Sequence, residues 1–88
     1  MRVIKEYRLN TDCVSTQTIY LPRGAEPLAV RNTPSGLLLQ AMSDFAETET
    51  ELRTFKICSV EENIYVDAIN YIDNFESSTG IRHVLEFV

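Results

Sequence analysis

A tight turn that carries one arginine, with a tyrosine and a second arginine close by, is the part of this sequence best suited to binding a ligand. Arg23 stands between Pro22 and Pro27, so its guanidinium is expected to be exposed on a rigid turn. A guanidinium binds phosphate oxygens through paired hydrogen bonds, and it stacks on base rings. The pattern predicts a ligand site for a phosphate or a base, formed by Arg23, Tyr20 and Arg31. The alternative is that all three are ordinary surface side chains.

The two thiols and the single imidazole are the side chains that offer nucleophilic or basic chemistry. Cys13, Cys58 and His83 are far apart in sequence, and a thiol needs a base within about 3 to 4 Å to act as a nucleophile. Three apolar residues share the strand face of His83, namely Ile81, Leu85 and Phe87. This pattern favours a buried, hydrogen-bonded core histidine. The sequence therefore predicts no enzyme activity, no metal site and no cofactor. A metal-free hydrolase that uses Cys58 and His83 is the alternative.

Charge is distributed unevenly along the 88 residues, whose formal net charge is −5. Residues 1–43 contain five basic and three acidic side chains, whereas residues 44–88 contain three basic and ten acidic ones. A phosphate backbone repels an acidic domain, so duplex nucleic acid is not an expected partner. The acidic half suits a basic protein surface, although solubility alone also explains it.

The sequence also predicts a cytoplasmic protein without a membrane segment. Charged residues interrupt the run 1–6, where a secretory signal requires an apolar stretch. No apolar run approaches the roughly 20 residues that span a bilayer. Two cysteines are also too few for the disulfide framework of a small secreted domain.

Alternating apolar and polar residues predict one domain, 1–88, built from seven short strands. The expected strands are 2–9, 15–21, 28–31, 37–42, 52–58, 64–72 and 81–88. The pattern favours an all-β fold, a small antiparallel sandwich or barrel with mostly consecutive, meander pairing. The polar run after Met42 is a loop or one short helix near 44–51. Residues 73–80 are expected to form a polar loop, and the prolines on either side of Gly24 to interrupt the strands there.

Several strands carry apolar residues on both faces. Leu38, Met42, Ile69 and Tyr71 alternate with the residues expected in the core, so they fall on the opposite faces of their strands. A two-layer fold cannot bury both faces of several strands. This surplus of apolar surface predicts a homo-oligomer.

The run Leu21–Ala25 contains a Pro-x-Gly-Ala turn, and Leu28–Val30 follows it. Later positions that belong to the same pattern are Gly36 to Leu39, Ala41, Phe55, Ile57 and His83 to Glu86. This pattern resembles a family of small phage-encoded proteins without an assigned function. The chain departs from the family at Gln40, where members often carry Trp, and at residues 58–60, where they are often rich in Gly.

The resemblance implies a phage origin and a small β fold. The function that we expect by association is that of a non-catalytic host-interaction protein, an inhibitor of a bacterial defence system in the host cytoplasm. Such a protein would bind a bacterial host protein or sequester a small nucleotide signal between protomers. The alternative is a virion or assembly accessory module that acts through protein–protein packing.

Overall fold

The computed structural model describes residues 1–12 and 15–88, and in them the chain forms seven strands. Cys13 therefore lies outside the described residues. The strands are β1 Arg2–Leu9, β2 Thr16–Pro22, β3 Glu26–Thr33, β4 Gly36–Asp44, β5 Thr50–Ser59, β6 Ile69–Ser77 and β7 Gly80–Phe87. No helix within the described residues has the length and apolar character needed to cross a bilayer.

The strands form two antiparallel sheets arranged as a sandwich, which confirms the predicted all-β class. One sheet has the order β1-β4-β3 and the other the order β2-β5-β7-β6. The predicted meander is wrong, because among the described strands β3–β4 and β6–β7 alone pair as consecutive neighbours. The chain instead passes between the sheets after β1, β2 and β4, so β1 pairs with β4 and β2 with β5.

The turn between β2 and β3 carries the chain from the four-stranded to the three-stranded sheet. The N–H of Ala25 donates to the carbonyl of Pro22 at 3.0 Å, and Gly24 adopts φ 76°. A positive φ at the third position is the requirement of a type II turn. The predicted interruption at Pro27 is wrong, because β3 continues through it with a register shift before Ala29. An edge strand tolerates a proline that lacks the N–H donor.

Period-two alternation places the core between the sheets, as the sequence predicted for β4 and β5. The fully buried large side chains are Leu21, Leu37, Leu39, Phe55, Ile57 and Val84. Burying one such side chain contributes roughly 1.5–3 kcal/mol to folding. Lys5 on the edge strand β1 lies opposite buried Ala41, so it places an exposed charge on the inner side of this edge. Such a charge discourages pairing with the edge of another chain.

The prediction that His83 faces the core is wrong, since β7 turns its other face inward. Val84 and Glu86 are buried and lie opposite the core residues Ile57 and Phe55. The interior accepts Glu86 because a guanidinium of β5 pairs with its carboxylate. Both oxygens of Glu86 accept from Arg53, which also donates to the carbonyl of Ala25 at 3.0 Å.

The short helix considered near 44–51 is absent from the described chain, which forms a turn there. A carboxylate oxygen of Asp44 accepts the N–H of Ala46 at 2.9 Å, and the carbonyl of Asp44 accepts the N–H of Glu47 at 3.1 Å. These two bonds complete one turn, and β5 begins at Thr50 before a second turn can form.

The sequence placed the sixth strand too early. Residues 64–68 are irregular, and β6 runs through most of the segment expected to be a polar loop. One of its polar residues is satisfied by the edge strand of the other sheet, because Asp73 accepts the N–H of Val30 in β3 at 3.0 Å. Phe75 is buried in the core, which holds the polar strand in the sheet.

Candidate functional site

The connection between β5 and β6 has to cross the four-stranded sheet. Both strands are antiparallel to β7, which lies between them, so they run in the same direction. The chain leaves β5 opposite Arg82 and enters β6 opposite Phe87. It must therefore return along the sheet by five residues of β7, or about 17 Å at the usual strand rise. Residues 60–68, the β5–β6 loop, make this return over the outer face of the sheet.

Several hydrogen bonds and one ion pair hold the β5–β6 loop to the sheet. Lys56 Nζ lies 2.7 Å from Glu62 Oε2, and Glu62 Oε1 accepts the N–H of Ser59 at 3.3 Å. The hydrogen bond from Lys56 lowers the pKa of the Glu62 carboxyl, and the bond from the Ser59 backbone adds to this effect. At the other end, the N–H of Val88 donates to the carbonyl of Ala68 at 3.0 Å. Both ends of the loop are thereby fixed.

Most of the large apolar side chains that stay exposed in the described chain lie on this side of the molecule. We call this side the loop-covered face, meaning the outer face of the four-stranded sheet together with the β5–β6 loop. Tyr65 in the loop is 88% exposed, and Val60 is 65% exposed. The exposed large apolar residues of the loop-covered face are Tyr20, Leu52, Val60, Ile64, Tyr65, Val66, Ile69, Tyr71 and Ile81. Exposed apolar residues gathered on one side of a protein mark interaction sites.

A cleft of about 350 Å³ lies between the β5–β6 loop and the sheet. Its apolar lining comes from Cys58 and Leu85 of the sheet and from Val60 and Ile64 of the loop. Cys58 and Leu85 are buried even though they lie on the outer face, opposite the direction of the core residues Ile57 and Val84. The loop above them therefore creates a second, smaller apolar layer.

The cleft brings together the thiol and the imidazole that the sequence singled out. Cys58 and His83 are direct partners across β5 and β7, and both line the cleft. Burial raises the pKa of the Cys58 thiol, and the nearby carboxylate of Glu62 raises it further. A nucleophilic cysteine needs the opposite shift, toward the thiolate.

The imidazole of His83 is bonded to a phenol. Tyr71 Oη lies 2.8 Å from His83 Nδ1, and Asn74 Nδ2 donates to the same oxygen at 3.2 Å. Among the hydrogen bonds of the described residues, none joins the thiol of Cys58 to this ring. The geometry therefore provides an apolar cleft with polar edges, and a protonated thiol in its wall.

Arg23, the centre of the predicted ligand site, is exposed at the turn but already paired. Its Nη1 lies 2.5 Å from Glu49, and its Nε lies 3.3 Å from Glu47. The sequence predicted the exposure correctly. It did not predict that the turn after β4 would bring two carboxylates to the same guanidinium.

Tyr20 and Arg31 lie on the outer faces of different sheets, so the structure does not assemble the predicted three-residue site. Tyr20 lies opposite Leu52 on the loop-covered face. Arg31 lies on the three-stranded sheet, where its Nε and Nη2 donate to the carboxylate of Glu6 at 2.9 Å each. These bonds raise the pKa of Arg31 and lower that of Glu6.

A second groove, of about 490 Å³, lies beside the buried ion pair and offers little to a ligand. Arg53 and Glu86 line it. The Arg53 guanidinium is occupied by Glu86, Glu51 and the carbonyl of Ala25, and the hydrogen bonds to Glu86 raise its pKa. No group of three or more His, Cys, Asp or Glu residues in the described part of the chain is arranged to hold a metal ion.

Sequence reasoning found part of the loop-covered face, because Ile69 and Tyr71 are among the apolar residues expected to be left exposed on their strands. It missed the β5–β6 loop. The available signal is the apolar run Ile64–Val66 between acidic residues, which the alternation assigns to the start of a strand. The order of the strands in the sheet decides which face of β7 carries Leu85, and it decides the path of the loop. The local alternation of apolar and polar residues contains no information on strand order. No family model matches the chain, and no curated protein or solved structure is detectably similar to it.

Proposed function

We propose that this protein is a non-catalytic inhibitor that docks its loop-covered face against a basic bacterial host protein of a defence system. The observation that carries the proposal is the exposure of apolar side chains on this face, above all Tyr65. The resemblance of the sequence to small phage-encoded proteins supports a host protein as the partner.

The composition of the face matches that of protein interfaces. Aromatic residues are enriched in the centres of such interfaces, and tyrosine supplies a large contact area at a small cost in side-chain entropy. Tyr20, Tyr65 and Tyr71 are all more than half exposed. A loop fixed at both ends loses little further entropy on binding, so the β5–β6 loop is well prepared for a partner.

Acidic residues lie among the apolar ones of this face. Glu61, Asp67 and Glu76 are exposed, and within the described residues none of them forms an ion pair. They lie in the loop and in β6. Unpaired carboxylates steer a basic partner toward the face and raise the association rate, an effect that salt weakens. This supports a partner surface that is apolar in the middle and basic around it.

Sequestration of a nucleotide signal has less support. A bound phosphate would have to displace the carboxylates that now occupy Arg23 and Arg31. Tyr20 lies on another face from Arg31, so it cannot stack on a base that Arg31 holds. A virion or assembly module would use the same loop-covered face. The two functions differ in where the protein is recovered, which is the host cell for an inhibitor and the phage particle for a virion module.

The proposal is tested by native mass spectrometry of tagged protein recovered from bacterial cells. We expect one defined complex with a basic host protein, lost in Tyr65→Asp and retained in the matched control Phe45→Asp. Phe45 is 64% exposed and lies in the turn after β4. The proposal fails if Tyr65→Asp retains the complex, or if the protein is recovered only in phage particles. Recovery of homo-oligomers alone would assign the face to self-association.

A further inference from the structure

We infer that the cleft beneath the β5–β6 loop is the anchor site of the loop-covered face, and that it takes one large apolar side chain next to a lysine or arginine in a protein segment. This inference rests on the proposed function, since it specifies the chemistry of the partner. The structure contributes three separate requirements, concerning the size, the hydrogen bonding and the charge of the occupant.

The size of the cleft suits a side chain. Its volume of about 350 Å³ is at the lower end of the roughly 300–1,000 Å³ of small-molecule pockets. The wall is apolar, with buried Leu85 and Cys58 on the sheet side and Ile64 on the loop side. A protonated cysteine behaves as a small hydrophobic residue. The wall therefore accepts a leucine, methionine or phenylalanine side chain.

The hydrogen bonds at the edge of the cleft leave one nitrogen of His83 without a partner. Tyr71 Oη accepts from Asn74 Nδ2 and lies 2.8 Å from His83 Nδ1. Among the described residues no group is hydrogen-bonded to Nε2 of the ring. A peptide group carries both a donor and an acceptor, so one next to the anchoring side chain would supply a partner for this nitrogen.

The charge at the edge of the cleft selects a cation. Glu62 is already paired with Lys56, whereas Glu61 is exposed and forms no ion pair within the described chain. Glu61 adopts φ 69°, and it lines the cleft. A carboxylate in this position favours a basic neighbour of the apolar anchor and disfavours an acidic one. An apolar residue followed by a basic one meets all three requirements.

A second copy of this chain also contains pairs of this kind in which both residues are exposed, Met1-Arg2 and Ile4-Lys5 at and in the edge strand β1. A net charge of −5 on each copy opposes self-association. Strand β1 and the cleft belong to different sheets, so a contact between β1 of one copy and the cleft of the next would be head to tail and would give a ring or an open chain, not the common two-fold dimer. These arguments favour a foreign protein segment as the occupant.

Three capped tetrapeptides test the inference: Ac-Gly-Phe-Arg-Gly-NH2, its Glu analogue at the Arg position, and its Ala analogue at the Phe position. The readout is the change of amide chemical shifts in ¹⁵N-labelled protein. We expect the Phe-Arg peptide to shift the amides of Val60, Ile64 and His83 saturably, with a Kd on the order of 1 mM as suits so small a ligand. Both analogues should bind at least about fivefold more weakly, a difference of roughly 1 kcal/mol.

Variants then locate the binding. Ile64→Asp should abolish the shifts, Glu61→Gln should remove the preference for Arg over Glu, and Phe45→Asp should change neither. The amide spectra themselves report whether each variant is folded.

Equal binding of the Ala analogue, or shifts outside the cleft, would overturn the inference. If the peptides fail while Tyr65→Asp still loses the host complex, the proposed function stands and the anchor site falls. If self-association occupies the cleft, Ile4→Asp and Ile64→Asp will both abolish the oligomers.

Discussion

Cys58 and His83 are direct neighbours across β5 and β7, and both line one cleft. The pair has the residue types of a cysteine hydrolase, but its chemistry points elsewhere. The thiol is buried with a raised pKa, and Tyr71 occupies Nδ1 of the ring. We therefore interpret this pair as the apolar wall and the polar edge of a binding cleft.

The thiol of Cys58 should react slowly. Because its pKa is raised, less thiolate is present at pH 8 than in an unfolded chain, and the rate should keep rising at higher pH. The measurement is the reaction with Ellman's reagent in a Cys13→Ser background, with and without urea. We expect the folded protein to react at least about tenfold more slowly. A rate that levels off below pH 7, or that falls in His83→Gln, would instead indicate a thiol activated by the imidazole.

The buried ion pair should control stability. Arg53→Leu leaves the carboxylate of Glu86, which is 3% exposed, without its partner, and the expected loss is about 3–5 kcal/mol. Urea denaturation of Arg53→Leu, Glu86→Leu and the double variant measures it. The double variant should be more stable than Arg53→Leu, since it buries no unpaired charge. Losses below about 1 kcal/mol in the single variants would show that the pair is not needed.

The turn between the sheets should depend on Gly24. At φ 76°, a Cβ costs about 1–2 kcal/mol through the backbone, and no atom within 4 Å would clash with it. Gly24→Ala should therefore lower the unfolding free energy by about that amount. Gly24→Asn is the matched control and should lose less, because asparagine tolerates this conformation. Equal losses in the two variants would contradict a backbone origin.

Much of the fold could be predicted because the core alternates in simple ways. Leu37, Leu39 and Ala41 are buried on one face of β4, and the turn 34–35 joins β3 to β4 as the Pro-Ser-Gly signal indicates. The alternation of apolar and polar residues could not predict which face of β7 points into the core. Both of its faces are partly buried, and the inner one contains Glu86, whose partner Arg53 is distant in sequence.

Local alternation indicated Ile69 and Tyr71 as exposed apolar residues, but the rest of the candidate site could not be predicted from it, for a related reason. Tyr65 is exposed because the chain crosses β7 between two strands that run in the same direction, and that crossing follows from strand order. Arg23 was expected to be available for a ligand, and long-range pairing with Glu47 and Glu49 occupies it. A sequence pattern reports neighbours within a strand, and it does not report partners brought in by another turn.

The alternative that the protein sequesters a nucleotide signal can be tested at Arg23. A nucleotide held there would raise the melting temperature of wild-type protein but not of Arg23→Ala. We expect no shift in either protein across a panel of linear and cyclic nucleotides, because carboxylates already occupy the guanidinium. Without ligand, Arg23→Ala should cost less than about 1 kcal/mol, since the pair is exposed to solvent. A shift that Arg23→Ala removes would restore the nucleotide version.

The most direct test of the loop-covered face is photocrosslinking in living bacteria with benzoylphenylalanine placed at position 65 or, as a control, at position 45. Both positions carry exposed aromatic residues, so the substitution is equally mild at each. We predict a crosslink to one basic host protein from position 65 and none from position 45. Equal crosslinks from both positions, or a crosslink from position 45 alone, would contradict the account.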